Sequence, residues 1–290
     1  MGKIRDYIIL GKPRLVYLLF FTGLAAMLIA GSIYGHDWLK VMLLSIAIIL
    51  GVMGSNAMTG FIDRRIDIIM ERTRKRPIPR GSIKPRQALV YSLALVTPAV
   101  LLAGYVNMWS GLFIILGFLD SAIVYNLLTK RRTPLNIILG APAGGMPVLA
   151  GWVGMTGRLV LLPLLMFLLI ILWTPVHIWS LAYFYREDYK KAGIPMLPVF
   201  LDRGKVFVIL ASLNILMAGF SIFMGLWYRL SPVFLAGSGI FGLLITAFSL
   251  RLVIRGKDKT AWLLFKLTSP YLAFIFLLLI IEFLFIMQIW

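Results

Sequence analysis

The chain has 290 residues, 61% of them hydrophobic, and a mean hydropathy of +0.94. Apolar runs of about twenty residues recur along it, which is typical of helical proteins that cross a membrane several times and excludes a soluble globular domain. The formal net charge of +18 lies at the ends of these runs, so it indicates membrane topology rather than nucleic acid binding. The chain has no cysteine, which excludes disulfides and thiolate metal sites.

Nine apolar runs predict nine transmembrane helices. They lie roughly at 15–33, 39–62, 88–108, 110–128, 135–155, 159–183, 206–228, 231–252 and 268–290. Successive helices cross the membrane in opposite directions, so the segments between them lie alternately on its two sides. Of the 29 Lys and Arg residues, all except Lys40, Arg158 and Arg229 fall on the same side. Because cytoplasmic loops carry the excess of Lys and Arg, we expect a cytoplasmic N-terminus and an external C-terminus. No soluble domain or linker interrupts the pattern, so residues 1–290 are predicted to form one multi-pass domain.

The most charged stretch is 55–81, where the second apolar run ends. If this stretch continues as a helix, Asp63, Asp67 and Glu71 recur every four residues and share one face. Closely spaced carboxylates favour a hard cation such as Mg²⁺, which is usually bound together with substrate phosphate. A basic run over 72–86 follows at once. The stretch therefore predicts a diphosphate site, the alternative being a loop whose acids pair with its own bases.

The fourth and fifth runs meet at a second basic cluster, Lys130, Arg131 and Arg132. This cluster serves either as a topological anchor or as a further contact for a diphosphate. Small residues and prolines crowd the start of the fifth run: Gly140, Ala141, Pro142, Ala143, Gly144, Gly145 and Pro147. Such residues indicate either close helix packing or room for a large flat substrate.

Three further ionisable residues lie at membrane depth. Asp120 and Glu282 each need a partner or a cavity, and Asp120 is a candidate proton acceptor or cation stabiliser facing the site. His177 in the sixth run is either a satisfied interior group or a ligand. On a continuous helix, Asp188 would share its face at about 16 Å, which places His177 beside the body of a substrate rather than its diphosphate.

Six motifs together resemble a known family. They are GKPR at 11–14, IDRRIDIIMERTRKRPIPRG at 62–81, KRRTPLNIILG at 130–140, GW at 151–152, WTPVHIWSLA at 173–182 and DYKKAGIPMLP at 188–198. With them the chain is similar, over about its first two thirds, to the UbiA-type intramembrane prenyltransferases, and in particular to the branch that prenylates haem.

The resemblance implies an all-α bundle of about nine transmembrane helices whose active-site mouth is cytoplasmic. Asp63 and Asp67 match the first acidic motif, and Asp188 matches the second. Two positions depart from the family pattern. Thr59 stands where the family has Asn, with Asn56 the nearest amide, and the second motif has Glu187 beside one matched aspartate. These departures leave open the role of that amide and the number of metal ions.

The reaction implied is transfer of a farnesyl or longer prenyl group from its diphosphate to a vinyl group of haem b, giving haem O. Haem b is then a substrate, and Mg²⁺ is the cofactor, held by Asp63, Asp67 and Asp188. Lys130 completes the implied catalytic set. The implied substrate-binding residues are Asn56, Thr59, Arg64, Arg72, Arg76, Tyr125, Arg131, His177 and Trp179.

The expected surroundings are a prokaryotic cell membrane, its lipids, and a haem-copper oxidase assembly partner at the basic face. Two other functions stay open. One is a prenyltransferase acting on a quinone precursor or an archaeal glycerol lipid, which needs no haem and no His177. The other is a transporter of an anionic solute, although such transporters tend to place their sites at mid-membrane rather than at one surface.

Overall fold

The computed structural model describes residues 2–256 and 258–286, and their regular structure is helical. The α-helices are α1 Gly2–Leu10, α2 Pro13–Tyr34, α3 Trp38–Ile69, α4 Pro85–Val106, α5 Met108–Leu119, α6 Asn136–Leu139, α7 Pro142–Thr156, α8 Leu161–Phe184, α9 Arg186–Lys191, α10 Leu197–Phe200, α11 Arg203–Trp227, α12 Pro232–Arg255 and α13 Asp258–Ile281. Two π-helical segments, Asp120–Thr129 and Glu282–Ile286, continue α5 and α13.

The prediction of nine membrane-spanning helices is confirmed within the described part of the chain. Several bounds differ from those predicted. Helix α3 runs on to Ile69 instead of ending near 62, and α13 begins at Asp258 instead of 268. The predicted last four residues of the ninth helix, 287–290, lie outside the described residues. Both shifts lengthen helices at the end of the bundle that carries the acidic residues.

Helix starts follow from capping side chains and prolines. Asp37 accepts a hydrogen bond from the Lys40 amide at 3.1 Å at the start of α3. Proline stands at the first position of α2, α4, α7 and α12, where its missing N–H costs nothing. The fifth span is broken between α6 and α7 at Gly140 and Ala141, just before Pro142.

Sequence neighbours pack side by side, and α13 contacts α2 so that the bundle closes. One large apolar core joins α2, α7, α8 and α11–α13, and a second joins α2–α5 and α7. Helices α2 and α7 meet at glycines, since a Cβ on Gly151 would lie 2.7 Å from the Gly23 carbonyl oxygen. This close approach fixes the relative position of α2 and α7, which both contribute residues to the lining of the apolar cavity described below.

The two acids predicted at membrane depth both have partners on helix N-termini. The Asp120 Oδ2 accepts a hydrogen bond from the Ala143 amide at 2.9 Å, in the first turn of α7. The Glu282 carboxylate accepts bonds from the Ser231 amide and hydroxyl, each at 2.6 Å, where α12 begins. Asp120 therefore stabilises the broken fifth span, and it is not among the residues that line the polar or the apolar cavity.

Candidate active site

A polar cavity of about 620 Å³ opens where α3, α8 and the loop after α3 meet. Its polar and charged lining comprises Lys12, Arg14, Asn56, Thr59, Asp63, Asp67, Arg72, Arg76, Ser121, Tyr125, Lys130, His177 and Tyr189. The structure thus brings together nine of the residues predicted from the sequence. The other four predicted residues lie outside this cavity: Arg64, Arg131, Trp179 and Asp188.

Asp63 and Lys130 form a buried ion pair at the floor of this cavity. Their exposed fractions are 2% and 9%, and the Lys130 ammonium contacts Asp63 Oδ2. The other oxygen, Oδ1, has no hydrogen-bond partner among the described residues. Burial alone would lower the pKa of Lys130, but the neighbouring Tyr125 and Asp63 outweigh burial and hold that pKa above its ordinary value. Lys130 is therefore positively charged at neutral pH.

Asp67 lies one helical turn further along α3 and is paired with Arg76. A single guanidinium nitrogen of Arg76 donates to both carboxylate oxygens, at 3.0 and 2.8 Å. The Thr73 hydroxyl donates to the Asp67 carbonyl at 3.0 Å and folds the loop back onto the helix. Each of the two buried acids in the cavity is therefore paired with a base, Asp63 with Lys130 and Asp67 with Arg76. Acids and bases so close together suit a ligand that combines a metal ion with anionic oxygens, because the acids can bind the cation and the bases the oxygens.

Lys12 is a cavity residue that the sequence reasoning did not single out. It is half-buried between α1 and α2, and its φ of +52° places a non-glycine residue in the left-handed region. Such a conformation is held by its surroundings and is common at functional sites. Burial and the nearby Arg76 lower the pKa of Lys12 to about 7. The GKPR motif at 11–14, in which Lys12 precedes a proline, was the feature of the sequence that could have identified it.

The amide beside Thr59 comes from Asn126. The Asn126 side chain donates to the Thr59 hydroxyl at 3.3 Å, and its oxygen accepts from Lys130 at 3.4 Å. Asn56 instead donates to the Gly11 carbonyl at 2.9 Å, although its side chain also borders the cavity. An amide therefore contacts Thr59 from another helix, which spacing along α3 alone cannot reveal, and Asn126 itself borders a separate surface pocket.

Asp188 lies outside the polar cavity, in a neighbouring pocket that we call the Asp188 pocket, lined by Glu71, Arg72, Phe184, Tyr185, Glu187 and Asp188. The Asp188 carboxylate accepts a hydrogen bond from the Arg72 amide at 3.3 Å. Arg72 borders both spaces and contacts the Tyr189 hydroxyl at 3.4 Å. In the described residues no group of three acids or histidines is placed to hold one metal ion. The structure therefore does not assemble the predicted trio of Asp63, Asp67 and Asp188.

Two geometric expectations about these acids are wrong. The three-acid stripe is incomplete, because α3 ends at Ile69 and Glu71 lies in the following turn. The continuous helix expected from His177 to Asp188 is also interrupted, because α8 ends at Phe184 and α9 begins at Arg186. The break turns Asp188 aside, whereas His177 stays in the polar cavity.

Arg64, Arg131 and Trp179 are also placed away from the polar cavity. Arg64 and Arg131 border a separate surface pocket with Asn126, and Arg64 donates to the Phe61 carbonyl at 2.7 Å. Trp179 is buried in the large core of the bundle. Arg64 follows Asp63 directly in the sequence, and so helical geometry points it to another side of α3.

An apolar cavity of about 250 Å³ continues from the polar one toward the middle of the bundle. The two cavities share Leu15, Asn56, Ser121, Tyr125, His177 and Ile178. The small residues of the fifth span give close packing at one position and open space at another. A Cβ on Gly145 would lie 2.4 Å from Phe167, which is close packing, whereas at Gly144 the nearest atom would be 3.5 Å away. Gly144 therefore leaves space in the apolar cavity.

Charged groups at one end and an apolar cavity behind them can bind an amphiphile with an anionic head. The family comparison agrees with this arrangement, because the model of the UbiA prenyltransferase family matches residues 18–282. The chain belongs to this family. Its relatives include protoheme IX farnesyltransferases from Thermoplasma acidophilum, 37% identical over 93% of this chain and 94% of the relative, and from Desulforudis audaxviator, 40% identical over 96% and 88%.

Solved UbiA-family structures share the fold. The structure described as that of digeranylgeranylglyceryl phosphate synthase superposes with a TM-score of 0.80 at 20% identity, covering 98% of this chain and 99% of that one. A UbiA homologue from Archaeoglobus fulgidus, bound to DMAPP and Mg²⁺, gives 0.67 at 17% identity, over 94% and 99%. These likenesses establish the bundle as a UbiA fold.

Proposed function

We propose that the chain transfers a farnesyl or longer prenyl group from its diphosphate to a vinyl group of haem b, giving haem O and diphosphate. The observation that carries this proposal is the paired acids and bases of the polar cavity, which open directly into an apolar cavity bordered by His177. The near full-length relatives named protoheme IX farnesyltransferases support haem as the acceptor.

Asp63 and Asp67 fit a divalent cation, and we assign it as Mg²⁺. Both offer hard oxygen ligands, and Asp63 Oδ1 is a buried carboxylate oxygen that lacks a hydrogen-bond partner in the described part of the chain. The A. fulgidus homologue bound to DMAPP and Mg²⁺ supports this choice. The ion, when bound, supplies positive charge to the leaving diphosphate. Asp188 acts at the rim through the Arg72 amide rather than as a ligand of the same ion.

The basic residues of the polar cavity bind the diphosphate oxygens. Lys12, Arg72, Arg76 and Lys130 all line this cavity and surround the two acids. When the bond from the first prenyl carbon to oxygen breaks, the electron pair leaves with the diphosphate. These cations stabilise the negative charge that grows there, which is electrostatic catalysis in a site partly closed to water.

The apolar cavity receives the allylic cation that remains. Its lining excludes water, and the faces of Tyr125 and Trp173 favour positive charge. The terminal vinyl carbon of haem b attacks the first prenyl carbon, and the cation moves to the porphyrin side. Water adds there as hydroxyl and releases one proton, so the acceptor must lie toward the wetter polar cavity.

The protein is proposed to act as one domain of a prokaryotic cell membrane, with its polar cavity open to the cytoplasm. The concentration of Lys and Arg at that end supports this orientation. The same basic face is a proposed docking site for a haem-copper oxidase assembly partner. Membrane lipid surrounds the exposed apolar side chains of the bundle.

A product assay tests the proposed function. Purified protein in detergent is incubated with haem b, Mg²⁺ and either farnesyl or geranylgeranyl diphosphate, and the pigments are separated and weighed by mass spectrometry. We expect a pigment heavier by one prenyl group plus water, and none with Asp63→Ala. Prenylation of a quinone precursor or a glycerol lipid in place of haem would contradict the haem assignment. Absence of any turnover would contradict the prenyltransferase activity itself.

A further inference from the structure

The His177 ring is held rigidly where the two cavities meet. Trp173, one turn earlier on α8, stacks against it with centroids 4.5 Å apart and planes 17° apart. Phe265 of α13 lies on the ring as well, at 4.4 Å and 30°. These contacts fix the plane of the imidazole. The stacking contacts do not decide which of the two ring nitrogens carries the proton, because this depends on hydrogen bonds at the ring edge.

Thr268 contacts one of these two nitrogens. Its hydroxyl oxygen lies 2.7 Å from His177 Nδ1 and donates its own proton to the Phe265 carbonyl at 2.8 Å. A hydroxyl has one proton, so Thr268 is left to accept a hydrogen bond from Nδ1–H. The resulting tautomer keeps the lone pair of the imidazole on Nε2.

The backbone of Thr268 is fixed by the same cluster. The Trp173 indole donates to the Thr268 carbonyl at 2.8 Å, and the Thr268 side chain is fully buried. Among the described residues no side-chain hydrogen bond reaches His177 Nε2, and His177 lines both cavities. The cluster thus leaves the Nε2 lone pair available on a fixed ring that borders both cavities.

We propose that Thr268 is a positioning residue that fixes the tautomer of His177, so that Nε2 ligates the iron of a porphyrin acceptor. This inference rests on the proposed function. A metal-ligating histidine generally donates its other N–H to an oxygen acceptor, which fixes the ring and raises its basicity. Thr268 supplies that acceptor here. Ligation would hold the macrocycle at the junction, with its vinyl edge free to meet the prenyl carbon.

Two substitutions separate positioning from simple packing. Thr268→Val keeps the shape and removes the acceptor, whereas Thr268→Ser keeps the hydroxyl. Each full-length variant and the wild type are titrated in detergent with iron protoporphyrin IX and, separately, with metal-free protoporphyrin IX. The Soret band and the iron–histidine stretch in resonance Raman spectra report ligation. Haem prenylation is measured in the same samples.

We expect the iron–histidine signature in the wild type and in Thr268→Ser. In Thr268→Val we expect this signature to be lost or shifted, and the dissociation constant of iron protoporphyrin to rise about tenfold. Binding of metal-free protoporphyrin, which has no iron to ligate, should be equal in all three proteins. This equality also shows that the valine variant is folded.

Three results would overturn the inference. They are a wild type without an iron–histidine signature, an unchanged signature in Thr268→Val, or equal losses of iron and metal-free porphyrin binding in that variant. If the wild type still prenylates haem in any of these cases, the proposed function stands and the positioning role alone fails. If haem is neither bound nor prenylated, the proposed function fails with it.

Discussion

Lys130 and Asp63 are in direct contact within the polar cavity, although 67 positions separate them in the sequence. The contact depends on the π-helical segment Asp120–Thr129. At the end of this segment the Lys130 amide donates to the carbonyl five residues earlier, that of Tyr125, at 2.8 Å. A π turn rotates the residues that follow it relative to an α-helix. It brings Lys130 to the cavity, while its neighbour Arg131 stays exposed at the surface.

Substitution of these adjacent bases tests the role of the buried one. Lys130→Gln should lower kcat for diphosphate release by a factor on the order of 10²–10³, because a positive charge beside the leaving group is lost. Arg131→Gln should leave kcat within about twofold, because Arg131 borders a different pocket. Thermal unfolding of both variants controls for loss of the buried pair. Equal losses of activity in two folded variants would contradict this assignment.

The two acidic motifs should differ in their effects. Asp63→Asn should reduce kcat by about 10³ or more, because it removes a proposed metal ligand and strands Lys130. Asp188→Asn should mainly raise KM for the prenyl diphosphate, by about tenfold, because one charge-assisted bond to the Arg72 backbone is weakened. Steady-state kinetics at several Mg²⁺ concentrations separates the two. If both variants lost metal dependence alike, Asp188 would belong to the same ligand set.

The lowered pKa of Lys12 predicts a pH-dependent stability of the metal-free protein. In the folded state the pKa is about 7, against 10.5 ordinarily, so between these values the unfolded chain binds more protons. The cost of burying the charge is therefore fully present below about pH 7 and is relieved as the pH rises. We expect the melting temperature of the wild type, relative to Lys12→Met, to increase from pH 6 to pH 9 in EDTA. A constant difference would rule out a perturbed Lys12.

The apolar cavity can be filled at Gly144 without touching the charged groups. Gly144→Phe should lower turnover of farnesyl diphosphate at least about tenfold, since its ring occupies space that a substrate needs. Gly144→Ala is the matched control and should behave as the wild type, because its Cβ meets nothing closer than 3.5 Å. Binding of inorganic diphosphate, measured by calorimetry, should be equal in both. A parallel loss of that binding would indicate general damage instead.

The sequence was sufficient for the helices and for much of the polar cavity, because long apolar runs and spacing along one helix are local properties. Asp63 and Asp67 were found in this way, and Arg76 lies in the basic run that follows them. Contacts between helices were not predictable by spacing. The Asn126 amide reaches Thr59 from a π-helical segment, and the helix break at Tyr185 diverts Asp188.

Thr268 shows how a wrongly placed helix boundary can hide a residue that contacts the site. A ninth span beginning at 268 would leave Thr268 at the membrane surface. Helix α13 begins instead at Asp258, so Thr268 is buried beside His177. Polar residues in the ten positions between these starts, including Lys259 and Lys266, lowered the apparent hydropathy there. Tertiary packing, which hydropathy does not describe, overrides that signal.

The most direct test of the account is whether the vinyl groups of haem accept the prenyl group. Haem b and mesohaem, in which both vinyl groups are reduced to ethyl groups, are each incubated with the purified protein, Mg²⁺ and farnesyl diphosphate. The account predicts that haem b alone gains one prenyl group plus water by mass, and that mesohaem stays unmodified and competes with haem b. Prenylated mesohaem, or haem b left unmodified while diphosphate is released, would contradict it.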